Sequence, residues 1–190
     1  NGAAGVRTIS FGENVEEIGQ YAFCRCEGIT RISIPESIRT IGDGAFYGNT
    51  AVTEVRLAGD ETKRSYGAGN FTLTGNAQDG FKVIYGADSV EVKDSMWSSK
   101  NLREVELPEG LTRIGTGAFK NCTLLSQITL PDSLEEIGRQ AFSGCTNLQG
   151  SVTLPERMQT IGSYAFDNCK LLEEVIVEAE EMTVSYEQLS

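Results

Sequence analysis

Apolar residues return along this chain at intervals of 23 or 24 residues. They belong to the motif Ile-Gly-x-x-Ala-Phe, which occurs five times, at residues 18–23, 41–46, 114–119, 137–142 and 161–166. Between the second and third copies the step is 73 residues, which leaves room for two weaker copies. A repeat of this length predicts a solenoid, because each unit is too small to bury its apolar face without stacking on its neighbours.

Before each copy of the motif, apolar and polar residues alternate over a few positions and then meet a turn. Ile128-Thr129-Leu130 has the two-residue period of a half-buried β-strand, and Pro131 ends it because proline cannot donate to a strand ladder. The glycine after the motif's Ile is expected to supply either a positive φ or a close backbone approach. The Ala-Phe pair has short-helix or 3₁₀ spacing, with Phe filling the interior.

The segment from Ala58 to Lys100 departs from this pattern and is rich in Gly, Ser, Thr and Asp. It contains one predicted strand, Phe81–Tyr85. By repeat counting, Met96 or Trp97 takes the position of the motif's Phe. Two degenerate coils fit the length of the segment, with a longer excursion at about 60–80. An inserted hairpin is the less favoured alternative.

The charge balance argues against two classes of partner. The chain has 27 Asp and Glu against 16 Lys and Arg, a net charge of -11. A nucleic-acid partner requires a basic surface, so none is predicted. Binding to anionic lipid is disfavoured for the same reason. No apolar run reaches the roughly 18 residues of a membrane span, so no membrane insertion is predicted.

The chain contains no histidine. This removes the commonest general base and the commonest zinc ligand, and it argues against an enzyme. An acidic residue follows the turn proline in several coils, as in Glu36, Glu109, Asp132 and Glu156. Such a column is one way to bind Ca²⁺, but turn formation and solubility are the favoured interpretation, since no aspartate-rich calcium loop is present. No catalytic residue, metal or cofactor is predicted.

Cysteines recur at one position of the repeat. Cys26, Cys122, Cys145 and Cys169 each lie three residues after the motif's Phe, and Asn49 takes that place in the second coil. Stacking would hold such residues about 5 Å apart, within disulfide range. Because Asn occupies the same position, we favour a ladder of small buried groups that bond to loop backbone, with a disulfide or a metal as alternatives.

The residues from Leu130 to Leu148, Leu-Pro-Asp-Ser-Leu-Glu-Glu-Ile-Gly-Arg-Gln-Ala-Phe-Ser-Gly-Cys-Thr-Asn-Leu, resemble the leucine-rich repeat of BspA-type bacterial surface proteins. The resemblance covers nearly the whole chain except the middle segment. It implies a secreted or surface-anchored protein that adheres to host proteins or to other cells. The family has no catalytic residues to carry over.

We therefore predict an α/β solenoid formed by one domain, residues 1–190, of about eight coils, irregular at 58–100. It is a right-handed leucine-rich-repeat superhelix with a parallel sheet on one face and short helical turns or minor strands on the other. The predicted function is non-enzymatic binding or adhesion outside the cell or on its surface. The ligand would be a protein or glycan of a host or neighbouring cell. The alternative is a structural spacer with no ligand.

The predicted binding surface is the outward face of the sheet, because solenoids commonly bind partners there. Strand alternation places the following residues on it: Arg31, Ser33, Glu54, Arg56, Glu104, Glu106, Gln127, Thr129, Ser151 and Thr153. Trp97, Tyr66 and Tyr85 of the irregular segment are alternative anchors for a ligand. The favoured interpretation makes these three aromatic residues part of the core of degenerate coils.

Overall fold

The structure, a computed structural model, describes residues 5–182 except Leu73, Asn76, Ala77 and Ser98. In chain order the strands are β1 (Glu17–Ile18), β2 (Arg31–Ile34), β3 (Thr40–Ile41), β4 (Glu54–Leu57), β5 (Ser65–Tyr66), β6 (Phe81–Tyr85), β7 (Glu91–Val92), β8 (Leu102–Glu106), β9 (Arg113–Ile114), β10 (Glu136–Ile137), β11 (Gln149–Leu154), β12 (Thr160–Ile161) and β13 (Leu171–Val177). A 3₁₀ helix, Glu61–Lys63, lies between β4 and β5.

The longer strands form the major sheet, in which every pairing is parallel. β2, β4, β6 and β8 lie side by side in that order, and β11 pairs with β13. Along β2 and β4 the side chains alternate between the solvent and the interior, as the sequence pattern predicts. The predicted strand Phe81–Tyr85 is confirmed as β6, which lies between β4 and β8.

The two-residue strands form the minor sheet, which is also parallel. It consists of two parts, β1-β3-β5 and β7-β9-β10-β12. We call one passage through a major strand and the next minor strand a coil. Coil two contains β2 and β3, coil three contains β4 and β5, coil four contains β6 and β7, and coil five contains β8 and β9.

The predicted α/β class is wrong for the part of the chain that the structure describes. Of the two alternatives predicted for the side opposite the major sheet, minor strands are confirmed and short helical turns are not. No α-helix occurs there, and the side opposite the major sheet carries minor strands and successive turns. Gln140 and Gly144 adopt positive φ of 56° and 78°, which interrupts a right-handed helix. The Phe119 amide bonds to the carbonyl of Ala141 in the next coil, at 2.8 Å, rather than to its own helical turn.

A column of aromatic rings fills the interior. Phe142 stacks between Phe119 and Phe166, with ring centroids 5.3 and 5.2 Å away. Trp97 takes the corresponding position in coil four, with its ring 4.7 Å from Phe71. Offset stacking of this kind adds to the free energy gained by burying the rings.

The glycine after the minor strand is required by a close backbone approach, not by a positive φ. A Cβ on Gly138 would lie 2.5 Å from the Thr116 nitrogen of the preceding coil, and one on Gly42 would lie 2.6 Å from the Gln20 nitrogen. Neither glycine has a positive φ. Glycine therefore lets successive coils stack at the minor sheet.

Candidate functional site

The ten predicted surface residues lie on the outer side of the major sheet, which we call the sheet face. Nine of them are exposed and Glu54 is half-buried. Gln127 and Thr129 are exposed although no strand is assigned at their positions. The inward-pointing residues beside them are buried or half-buried, for example Val55 and Ile128.

Ion pairs hold the first charged residues of the sheet face in place. The Glu54 carboxylate forms an ion pair with Arg31 at 2.8 Å and accepts a hydrogen bond from Arg56 at 2.6 Å. The hydrogen bond from Arg56 lowers the pKa of the Glu54 carboxyl, and the two arginine charges act in the same direction. These three residues therefore neutralise much of one another's charge.

Lys82 on β6 is a sheet-face residue that the sequence analysis missed. It pairs in register with Glu54 on one side and Glu104 on the other. Its ammonium donates to Glu104 at 2.9 Å and also to Glu106, and these hydrogen bonds raise its pKa. The position was predictable, because Phe81–Tyr85 was recognised as a strand and Lys82 alternates with its buried residues.

The other end of the sheet face has a different chemistry. Gln127, Thr129, Ser151 and Thr153 are uncharged, polar and exposed. Within the described residues their side chains make no hydrogen bond or ion pair with the protein. Because these amide and hydroxyl groups have no partner within the described residues, they offer both donors and acceptors to a ligand.

Two shallow depressions bring some of these residues together. Glu104, Glu106, Gln127 and Thr129 line a depression of about 340 Å³. Another, of about 520 Å³, contains Ser33 and Arg56 beside less polar residues that include Phe11, Pro35 and Ile84. Both volumes fall within the range of small-ligand sites.

The aromatic residues proposed as alternative anchors belong mainly to the core. Trp97 is fully buried and Tyr85 is 4% exposed. The Trp97 indole N–H donates to the Tyr85 hydroxyl oxygen at 2.6 Å, which satisfies a buried polar group. Tyr66 is half-buried, and its hydroxyl donates to the Glu61 carboxylate at 2.6 Å.

The structure confirms the thiol ladder in its structural role. Cys122, Cys145 and Cys169 donate to the carbonyls of residues 97, 119 and 142, at 2.7, 3.1 and 3.2 Å. Asn49 bonds in the same way to the Phe23 carbonyl at 2.9 Å. All five cysteines are free thiols, and Cys24, which lies outside the ladder, is half-buried. Burial raises the pKa of Cys122 to about 12 and that of Cys169 to about 11.

The minor sheet is interrupted between coils three and four, where β5 and β7 do not pair. Elsewhere the amides of a minor strand bond to the preceding coil, as Gly67 does to the Ile41 carbonyl at 2.7 Å. Within the described residues, no backbone hydrogen bond joins 65–72 to 91–96. We call this interruption the open seam.

Lys93 explains the open seam. It follows β7 at the position where the neighbouring coils have Gly67 and Gly115. A Cβ on either of those glycines would meet the backbone of the preceding coil, so the interruption coincides with the position where a minor strand is followed by a residue that has a Cβ. The missing glycine was visible in the sequence, but its consequence depends on the stacking geometry.

A buried ion pair lies beside the open seam. Arg64 and Glu61 have side chains that are 2% and 0% exposed, and they are in direct contact. Arg64 also donates to the carbonyls of Pro35, Ile38 and Ala58, at 2.8 to 2.9 Å. Burial raises the pKa of the Glu61 carboxyl, and the Arg64 charge opposes this shift.

In the described ranges, no group of three or more His, Cys, Asp or Glu side chains is placed to hold a metal ion. Among the same residues, no helix has the length and apolar character needed to cross a bilayer.

Parallel strand columns, a central ring column and a polar sheet face define a β-solenoid of the leucine-rich-repeat type. The family model described as "BspA type Leucine rich repeat region" matches residues 2–77 and 90–188, in 6 copies. The chain belongs to this family. Within the irregular segment the match covers 58–77 and 90–100 but not 78–89, which include β6. No catalytic family is indicated.

Solved structures of bacterial proteins share the architecture. A leucine-rich repeat protein from Bacteroides ovatus is 32% identical, with a TM-score of 0.73, and the match covers 90% of this chain and 42% of that one. A leucine-rich cell surface protein from Faecalibacterium prausnitzii is 20% identical, with a TM-score of 0.50, over 90% of this chain and 46% of that one. This chain thus spans less than half the length of either. No curated protein matches it.

Proposed function

We propose that this chain is a non-enzymatic binding or adhesion module of an extracellular or cell-surface protein. It recognises a protein or glycan of a host or neighbouring cell through the sheet face. The observation that carries the proposal is the row Gln127, Thr129, Ser151 and Thr153, whose exposed polar groups have no partner within the described residues. Family membership supports a repeat module of this kind, and one similar structure is named as a cell surface protein.

The contrast between the two ends of the sheet face supports a site at the uncharged end. Arg31, Glu54 and Arg56 are already engaged with one another, so a ligand must break those ion pairs to use them. The amide and hydroxyl groups at the other end are available without that cost. The adjacent depression adds the Glu104 and Glu106 carboxylates, each of which contacts Lys82 through one oxygen. The second oxygen of each can accept from hydroxyl or amide donors of a ligand.

The test is binding to a panel of matrix proteins, mucins and cell-surface glycans, measured by biolayer interferometry. One variant combines Thr129→Arg and Ser151→Arg, which add bulk and charge to the exposed row without touching the core. The matched control is Thr160→Arg, an exposed threonine of β12 on the minor sheet. Saturable binding that is lost in the double variant and kept in the control supports the proposal. Binding that is unaffected in the double variant contradicts the proposal. Absence of binding by the wild type also contradicts it and favours the spacer function.

A further inference from the structure

We propose that the open seam accepts an extended peptide, which binds as an added strand between β5 and β7. The peptide would carry alternating apolar and acidic side chains. The seam lies on the minor sheet, so it is distinct from the sheet face and does not depend on it. This kind of recognition uses main-chain hydrogen bonds for affinity and alternate side chains for specificity.

The first argument is that both walls of the seam present unpaired backbone groups. In coil five, the Arg113 and Gly115 amides bond to the Val90 and Val92 carbonyls, at 3.3 and 2.8 Å. The amides in the same positions of coil four belong to Glu91 and Lys93, and neither bonds to another backbone group of the preceding coil. The carbonyls that would receive them, of Arg64 and Tyr66, accept no hydrogen bond from the described residues.

Such edges are ready to pair with another strand. On the major-sheet side the same two coils remain in register, with Leu57 of β4 opposite Tyr85 of β6. The seam is therefore a wedge between two ordered coils, closed on one side and open on the other. A strand inserted there would join β1-β3-β5 to β7-β9-β10-β12 in a continuous minor sheet.

The second argument is the shape and floor of the seam. Two adjoining cavities of about 480 and 630 Å³ share Tyr66, Lys93 and Asp94 and continue in opposite directions from them. They form a groove that follows the chain direction of the minor strands. Its floor includes the half-buried Tyr66 ring and the half-buried Met96 thioether, and Phe71 lies below them. Apolar side chains on one face of a strand match this floor.

The third argument is the charge of the rim. Although the chain carries a net charge of -11, five cationic residues and two carboxylates line the larger cavity. One cation, Arg64, is neutralised by Glu61. Lys93 and Arg113 pair with the two carboxylates of the lining. Lys63 pairs with Asp60 at 3.5 Å but its side chain is 63% exposed, and Arg39 is exposed and forms no ion pair within the described residues. Acidic side chains on the outer face of a bound strand would meet these cations.

The probe is a capped seven-residue peptide of alternating Glu and Val, titrated into the full chain. Trp97 is the only tryptophan of the sequence and lies against Phe71 under the groove, so its emission reports binding at the seam. We expect a saturable change in emission and slower amide hydrogen exchange at Glu91 and Lys93. A peptide that is N-methylated at alternate residues, so that its donors are blocked, should bind about tenfold more weakly.

Variants test the rim and separate this site from the sheet face. Arg39→Glu combined with Lys63→Glu should weaken binding of the acidic peptide about tenfold, because two attractive charges become repulsive. The matched control is Arg157→Glu, which changes an exposed arginine far along the array. The sheet-face variant Thr129→Arg with Ser151→Arg should bind the peptide like the wild type, whether or not it loses its panel ligand.

Three results would overturn the inference. One is the absence of any peptide binding up to millimolar concentration. Another is equal binding of the N-methylated peptide, which would remove main-chain pairing as the cause. The last is protection that falls on another edge, such as β13, instead of Glu91 and Lys93. A glycan that protects these amides when the peptide does not would equally replace the proposed ligand class.

Discussion

Lys93 occupies in coil four the position that Gly115 occupies in coil five, and the two residues have opposite effects on stacking. A Cβ on Gly115 would lie 2.7 Å from the Asp94 nitrogen and 2.8 Å from the Val92 carbonyl oxygen. Glycine at 115 therefore lets β9 pair with β7, while β7 itself, followed by lysine, does not pair with β5. Within the described residues, a minor strand pairs with the preceding one where glycine follows it, and the pairing is interrupted where Lys93 follows it.

This relationship predicts that Gly138→Ala destabilises the fold. The new Cβ would meet the backbone of Thr116 and Gly115 at 2.5 to 2.9 Å, so coils must shift apart, at a cost of about 1–3 kcal/mol. Gly19→Ala is the matched control, because Gly19 has the same repeat position but no neighbouring atom within 4 Å. We expect that change to be neutral or stabilising by about 0.4–1 kcal/mol. Urea unfolding measures both, and equal effects would contradict the stacking explanation.

Phe142→Ala is predicted to be among the most damaging single changes. The ring is fully buried between Phe119 and Phe166, so its removal leaves a cavity in the column and costs about 3–5 kcal/mol. Thr129→Ala, on the sheet face, should change stability by less than about 0.5 kcal/mol. Thermal melts of the two variants check this, and the reverse order would show that the inward and outward faces are misassigned.

Much of the array was predictable because the residue types in each repeat indicate which side chains are buried. The alternation of apolar and polar residues located β2, β4 and β8, although no strand is assigned at Ile128–Leu130, where it was also predicted. The shared position of Asn49 and Cys145 indicated groups that bond to loop backbone. The strand at Phe81–Tyr85 and the Phe-equivalent position of Trp97 were also recoverable from the register of the repeat. These features depend on local pattern and period, which a sequence displays directly.

The helical turns were a wrong prediction, because Ala-Phe spacing fits both a helix and successive turns. Some non-glycine residues have positive φ, such as Tyr164 at 61° and Asn168 at 57°, and these angles form turns instead of a right-handed helix. At Asn121 and Gln140, which also have positive φ, the amides bond to the carbonyls of residues 143 and 163 in the next coil, at 2.8 and 3.0 Å, a pairing that spacing alone does not reveal. The open seam was missed for a similar reason, since Lys93 acts through the approach of two coils.

Arg64→Ala is predicted to cost about 3–5 kcal/mol, because it leaves the Glu61 carboxylate buried without its partner. It also removes the donor for three backbone carbonyls, which would lose hydrogen bonds in a dry environment. The matched control is Lys63→Ala, whose side chain is 63% exposed and pairs with Asp60 at 3.5 Å. We expect a change of about 0–1 kcal/mol there. Urea unfolding compares them, and a mild Arg64 variant would mean that the ion pair is not buried as described.

The thiol ladder predicts that stability falls as the pH rises above about 8.5, the ordinary pKa of an unfolded cysteine. Burial raises the pKa of Cys122 to about 12 and that of Cys169 to about 11, and it raises that of Cys145 as well. Since the folded pKa values are higher, the folded state holds these protons while the unfolded state releases them. The stabilisation is therefore complete below the unfolded pKa and is lost as the pH rises towards the folded values, by at most about 1.4 kcal/mol per thiol and pH unit.

The measurement for this pH effect is the urea midpoint between pH 7.5 and 9.5, in the presence of a reductant. The range stops below the ordinary tyrosine pKa of about 10, because buried Tyr66 and Tyr85 would add a shift of the same sign. Replacing Cys122, Cys145 and Cys169 with Ser puts a hydroxyl donor in place of each thiol donor to a loop carbonyl, and the hydroxyl does not titrate in this range. The triple variant should therefore show a flatter pH dependence than the wild type. Identical slopes would mean that the thiols ionise in the folded state as readily as in the unfolded chain.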